Sequence, residues 1–401
     1  MTTFCSLENI LEREKEETAL FPESRTICVS RSVPMTANKR HIIYSAFLLT
    51  FLLLSGFLES RCEEEAGRSV SAFPILMYDT DIGVGYGAKA KGVDYLSRNE
   101  SLDLILFNST EGERWYVLTF CIPDIEIRQG KAYPFSLDIR AEYDRLLKNN
   151  FYGLGPGSLQ KNLTNFTFEK KELQLAFGRG FSPSFVLEAS YVFRNIRYFN
   201  IVHGEPYAQL LGTIGDQFSP FVSFLIRFDT SDSQIHPRKG FRLLLQDDLA
   251  AGFLGNKKAS FNRFTLDFRK YLLILGERDV LAFRVLVQRI SGGDVPLFEM
   301  SALGGGSTQN AMRGYAMNRF QDKGKILSNI EYRFPVWGKL GGNLFIDLGT
   351  VWPSFSRLEF RKMAIDAGWG LRYYLKNFLA RFDMGFSREG MRIYFNFGQV
   401  F

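Results

Sequence analysis

From Val70 onward the chain is built of short segments in which apolar and polar residues alternate. In the stretch ending the chain, Met391, Ile393, Phe395, Phe397 and Phe401 share one face, and Arg392, Tyr394, Asn396 and Gly398 share the other. The preceding segment sets Ala380, Phe382, Met384 and Phe386 against Arg381, Asp383 and Gly385. Phe135, Leu137 and Ile139 stand against Ser136, Asp138 and Arg140, and Phe264, Leu266 and Phe268 against Arg263, Asp267 and Arg269. A period of two predicts strands, since successive side chains of a strand point to opposite faces.

About sixteen such segments run from 70–78 and 83–93 to 378–386 and 391–401, an even number within the range of bacterial barrels. The links after even-numbered segments, as at Lys376-Asn377 and Trp337-Gly338-Lys339, are short, and several after odd-numbered ones are longer, above all 291–325. That parity predicts short periplasmic turns and longer external loops, with both barrel ends in the periplasm. The predicted fold is all-β, a transmembrane antiparallel barrel with an inward-folded external loop.

A soluble sandwich also alternates, so the choice of a membrane barrel rests on the amino-terminal end. Residues 42–58 form an apolar run, preceded by Lys39, Arg40 and His41 and followed by Glu59-Ser60-Arg61-Cys62. A basic flank, an apolar centre and small residues beyond it predict a secretory signal peptide over 35–62, cut after Cys62. Met35 is a natural start for it, so residues 1–34 read as a non-native or disordered leader and a misassigned start codon is the preferred explanation. A single membrane anchor is the rival, because roughly 17 apolar residues are just enough to span. Residues 63–69 then form a short periplasmic segment and 70–401 the barrel, which leaves no room for a separate periplasmic domain.

Composition agrees with this division. Mean hydropathy is slightly below zero although 46% of residues are hydrophobic, as expected when lipid-facing and lumen-facing positions alternate. The 39 Phe and 17 Tyr suit lipid-facing strands and interfacial girdles. The net charge of +6 is scattered, which argues against nucleic-acid binding. Of four cysteines only Cys121 lies well inside the barrel, so no disulfide framework or clustered metal site is expected, and no cofactor. Gly304-Gly305-Gly306-Ser307 lacks the Lys and helix of a phosphate loop. No serine stands in a nucleophile context beside His203 or His236, so an enzyme is not expected. Asp138, Arg140, Asp267, Arg269, Arg381 and Asp383 read as a solvated lumen wall.

The 291–325 loop carries Met312-Arg313-Gly314-Tyr315. On the two segments that follow, Ile330, Tyr332 and Phe334 share the apolar face and so do Leu344, Ile346 and Leu348, which turns Glu331 and Asp347 into the lumen. A loop folded inward would let the planar fork of Arg313 bond both carboxylates, a geometry Lys cannot copy.

With these residues the carboxyl-terminal half resembles the barrel of the BamA/TamA family, the bacterial surface antigens. The likeness is clear over about 218–401 and extends back toward 70. It implies a loop-pinning motif of Arg313, Gly314 and Tyr315 with Glu331 and Asp347. It further implies a periplasmic turn from Asp229 through Pro237 to Gly240, and a carboxyl-terminal insertion signal at Tyr394, Phe397, Gly398 and Phe401. Met312 departs from the Val or Ile usual in the family, and the periplasmic repeats of full-length insertases find no counterpart. The resemblance implies an outer-membrane location and the insertion or translocation of outer-membrane proteins or lipids through a barrel seam. Its partners would be outer-membrane lipid together with protein clients or a periplasmic partner. A passive channel or a surface-exposed adhesin is the alternative.

Overall fold

A computed structural model describes residues 68–255, 260–276, 278–374 and 379–401. The expected leader, the signal peptide and nearly all of the short periplasmic segment lie outside the described residues. The rest forms a closed antiparallel barrel of sixteen strands, as the alternation predicts. They are β1 (Ser69–Asp79), β2 (Gly83–Val93), β3 (Ser101–Ser109), β4 (Arg114–Ile122), β5 (Tyr133–Phe151), β6 (Thr164–Ser182), β7 (Phe185–Phe199) and β8 (Phe221–Asp229). The second half comprises β9 (Gly240–Ala250), β10 (Ser260–Leu273), β11 (Val280–Asp294), β12 (Gly324–Trp337), β13 (Leu340–Trp352), β14 (Ala364–Tyr374), β15 (Leu379–Ser387) and β16 (Gly390–Phe397). No described helix is long and apolar enough to cross a membrane; the strands do the crossing.

The burial pattern fixes the orientation of the wall. Leu344, Ile346, Ile365 and Trp369 are exposed on the outside, whereas Phe345, Asp347, Asp366 and Arg372 are buried in the lumen. Strand length varies around the barrel: β5 and β6 have 19 residues each, β16 only 8. Long strands stand where the external loops 152–163 and 200–220 rise, and short strands meet where the barrel closes.

Closure is narrow. β1 meets β16 in two residue pairs, Tyr78↔Phe395 and Asp79↔Tyr394. Just beyond them the Thr80 N–H donates to the Ile393 carbonyl at 3.2 Å, and the Ile393 N–H to Thr80 Oγ1 at 2.9 Å. Ser69–Met77 pair with β2 and have no partner in β16. The neighbouring β15 and β16 pair over eight positions.

Two expectations are corrected here. The last strand stops at Phe397 rather than running to 401. Gly398 takes a φ of +76°, a conformation that costs glycine least, and the tail turns into the lumen. Phe401 therefore leaves the lipid face: it is buried with Val400 against Tyr271, Val280, Ala282 and Ala311, and Arg333 Nη2 donates to a Phe401 oxygen at 3.0 Å. The loop parity also holds only in part. Links 80–82, 110–113 and 388–389, expected to be external, are tight, whereas 123–132 and 230–239, expected to be periplasmic, are longer, because the first holds a short helix (Ile125–Arg128) and the second an ordered turn.

That turn contains the sequence-predicted Asp229, Pro237 and Gly240. Asp229 accepts from the Ser231 N–H and hydroxyl (2.9 and 2.6 Å), from Gln234 Nε2 at 2.8 Å and from Arg242 Nε at 2.8 Å. Gly240 has φ +98°, and a Cβ there would sit 2.3 Å from the Thr230 carbonyl oxygen, so no other residue fits.

Candidate functional site: the loop in the lumen

The long loop, 295–323, folds into the lumen. Its two arms pair as a small hairpin, Ser301–Leu303 with Phe320–Asp322. An apolar cluster of Leu303, Met312, Tyr315 and Phe320 from the loop packs on Leu286, Leu327 and Val351 of the wall. Removing these side chains from water is the non-directional part of the attachment.

Charge supplies the direction. Arg313 is fully buried and makes three bonds to Asp347: its Nε at 2.9 Å, its Nη2 at 2.8 Å and its backbone N–H at 3.2 Å. Its Nη1 reaches Glu331 at 2.5 Å, and the Phe345 ring lies 3.4 Å from the guanidinium carbon. Asn329 holds the Ala311 carbonyl and Asp347 with the same amide nitrogen, both at 2.8 Å, so one side chain registers loop against wall. At Gly314 an added Cβ would lie 2.6 Å from the Asp366 Cβ and 2.9 Å from the Phe386 carbonyl carbon, which explains a glycine where loop and wall touch. The Tyr315 hydroxyl donates to the Ile365 carbonyl at 3.3 Å, and Tyr394, on the closing strand, donates to the Tyr315 carbonyl at 3.4 Å. Of the carboxyl-terminal residues singled out in the sequence, Tyr394 and Phe401 are thus lumenal, whereas Phe397 stays on the wall.

The pairing extends further than the sequence indicated. Arg333 donates to Glu331 at 2.8 Å, Arg372 lies 2.8 Å from Asp383, and Arg381 lies 3.4 Å from it. Arg381 and Asp383, read as a solvated wall, are buried beneath the loop, and Asp267 is likewise covered, bonded by Arg284 and Arg269. Charges so enclosed persist only when paired and hydrogen-bonded.

A second attachment of opposite sign was not foreseen. Glu299, near the start of the loop, is buried and accepts from Arg194 Nη1 at 2.9 and 3.0 Å, from Arg263 Nη1 at 2.5 Å and from the Ser219 hydroxyl at 3.3 Å. Both arginines have a further carboxylate on the wall, Glu172 for Arg194 and Asp248 for Arg263, and both lie over the Phe221 ring. One signal could have found it: a lone carboxylate in Val295-Pro296-Leu297-Phe298-Glu299-Met300 is seldom buried without a cation. Lys325 adds a third contact, donating to the Ala302 and Gln309 carbonyls and Asn310 Oδ1 at 3.2, 2.9 and 2.7 Å.

The site offers structure rather than reaction chemistry. The carboxylates of Glu331, Asp347, Asp383 and Glu299 are occupied by guanidinium groups, and among the described residues no cluster of three or more His, Cys, Asp or Glu is arranged for a metal ion.

Comparison with known proteins agrees with this architecture. No curated protein sequence matches. Among solved structures, BamA from Haemophilus ducreyi lacking POTRA domains 1–3 superposes with a TM-score of 0.61 at 13% identity, over 84% of this chain and 71% of that one. CdiB from Escherichia coli gives 0.57 at 10% identity, over 84% and 63%. CdiB from Acinetobacter baumannii gives 0.53 at 11%, over 83% and 60%, so this chain spans under two thirds of either CdiB. At such identities these likenesses establish the fold. The family model for the Omp85 superfamily domain matches residues 96–401, most of the chain, so the protein belongs to the Omp85 superfamily and is a bacterial outer-membrane barrel, not an enzyme.

Proposed function

We propose that this barrel inserts or translocates outer-membrane proteins or lipids through the seam between β1 and β16, with the lumenal loop pinned by Arg313, Glu331 and Asp347. The observation that carries the proposal is the two-pair seam, which leaves most of β1 without a partner in β16. An unpaired strand edge is a template for another strand, and in hydrocarbon it must find one. A client strand adding to Ser69–Met77 would satisfy those groups and be delivered sideways into lipid. The inward turn at Gly398 supports the same reading, because it draws the end of the chain away from the β1 edge.

The filled lumen counts against a passive channel: the loop is fastened to the wall at two separate places, at β12 and β13 by Arg313 and at β7 and β10 by Glu299. Reconstitution separates the two. Vesicles containing the protein are predicted to speed the folding of urea-denatured barrel clients and to show low conductance. A large steady pore with no effect on client folding would overturn the proposal.

A further inference from the structure

On the outer wall, remote from the seam, the register of β4 to β7 stacks three rows of side chains. The row nearest the external rim reads Arg114, Arg145, Glu169, Arg197, each directly opposite the next. Below it lie Tyr116, Tyr143, Lys171 and Asn195, and below those Leu118, Ala141, Leu173 and Phe193. These positions face away from the lumen, as the exposure of Leu118, Leu173 and Phe193 shows.

Two features of this face are unexplained by the barrel itself. Arg114 and Arg145 oppose each other across an antiparallel pair, where like charges destabilise. Neither enters an ion pair among the described residues; the adjacent Glu169 is taken by the Tyr143 hydroxyl at 3.1 Å and by Lys171 at 3.5 Å. The Arg145 guanidinium lies over the Phe199 ring at 5.3 Å and is hydrogen-bonded to the Tyr143 side chain, while its Nε is buried without a hydrogen-bond partner. Second, Ala141 is the small residue in an otherwise bulky apolar row, and the wall there is hollowed by about 480 Å³ between Leu104, Leu118, Leu173 and Phe193. The hollow is lined almost wholly by apolar atoms and runs up to Tyr116, Tyr143 and Lys171.

We propose that this face is a binding site for one phosphorylated lipid of the outer leaflet, with its phosphate between Arg114 and Arg145 and an acyl chain in the hollow at Ala141. Facing Cα atoms in an antiparallel pair stand about 4.5–5.5 Å apart, so both guanidinium forks can reach one phosphate group. The bound anion would remove the repulsion between the arginines. The stacked Tyr116 and Tyr143 rings, 5.8 Å apart, sit at the level where aromatic side chains mark the membrane interface. Lys171, with most of its side chain exposed, adds a third cation beside the hollow.

Native mass spectrometry of the purified barrel tests this, with bisphosphorylated lipid A, zwitterionic phosphatidylethanolamine and inorganic phosphate as probes. One lipid A per barrel is expected to survive detergent conditions that strip the phosphatidylethanolamine. Arg114→Ser with Arg145→Ser should cut retention at least tenfold. Ala141→Leu, which puts a branched side chain across the middle of the hollow and leaves the charges in place, should cut it about fivefold, and heat-modifiable migration on gels certifies each variant as folded. Should the double variant fold poorly, Ala141→Leu decides alone. Equal retention in the variants, or displacement of lipid A by millimolar phosphate, would overturn the proposal.

Discussion

Asp81 accepts the backbone N–H of Met317 at 3.0 Å through one carboxylate oxygen while the other takes Arg392 Nη1 at 2.6 Å. The turn after β1, the lumenal loop and β16 therefore meet on one side chain, one residue beyond the Thr80–Ile393 contact that ends the seam. Loop and seam are mechanically joined. Asp81→Asn keeps an acceptor for Met317 but gives up the ion pair. Hydrogen exchange at the Ile393 and Phe395 amides, which face β1, is expected to rise at least tenfold, with β5–β6 amides unchanged. Unaltered exchange at the seam would separate the two elements.

Arg313 neutralises carboxylates from two strands, and its loss leaves Glu331 and Asp347 enclosed, although Asn329 and Arg333 still donate to them. Breaking a buried pair by removing one partner costs about 3–5 kcal/mol. Arg313→Ala is therefore predicted to lower the temperature at which the barrel loses its heat-modifiable form. Arg313→Lys should recover only part of it, because a point charge cannot reproduce the fork on Asp347.

Glu299 holds the same loop to the wall at a second place, on β7 and β10. Glu299→Gln removes the shared charge, yet Arg194 and Arg263 retain Glu172 and Asp248, so the cost is smaller, about 1–3 kcal/mol. With either anchor intact the pore should stay closed. Only Arg313→Ala combined with Glu299→Gln is expected to give frequent large openings in planar bilayers.

In the turn between β8 and β9, partial burial pushes the Asp232 carboxyl up, but the N–H groups of Arg238 and Lys239 and the Arg238 guanidinium outweigh it and hold the group below the usual carboxylate range. A carboxylate with a depressed folded value contributes stability above its unfolded pKa of about 4, and that contribution fades as pH falls through the folded value. Exchange of the Arg238 and Lys239 amides, corrected for its intrinsic pH dependence, should accelerate on acidification in the wild type. In Asp232→Asn it should be fast throughout.

The strand number was legible because each wall segment repeats the same two-residue rule, and lipid on one side enforces it at every position. Glu331 and Asp347 were legible by that rule, since their neighbours Ile330, Tyr332, Leu344 and Ile346 fix the phase. Irregular backbone hides such information. Glu299 meets Arg194 across 105 positions from within a loop, where no period says which way a side chain points. Extending the period of β16 puts Phe401 on the lipid face, but the strand ends at Phe397 and the positive φ of Gly398 breaks the period four residues before the apolar pattern stops. The burial of Arg381 and Asp383 was hidden for another reason: the alternation says that they face inward, but only the folded loop says that the inside is filled.

The seam account is tested most directly by a disulfide across it. Facing Cα atoms at Tyr78 and Phe395 lie within bridging range, so Tyr78→Cys with Phe395→Cys should oxidise readily. The oxidised barrel is predicted to lose its acceleration of client folding in vesicles and to regain it on reduction. Full activity with the bridge closed would contradict a seam that opens.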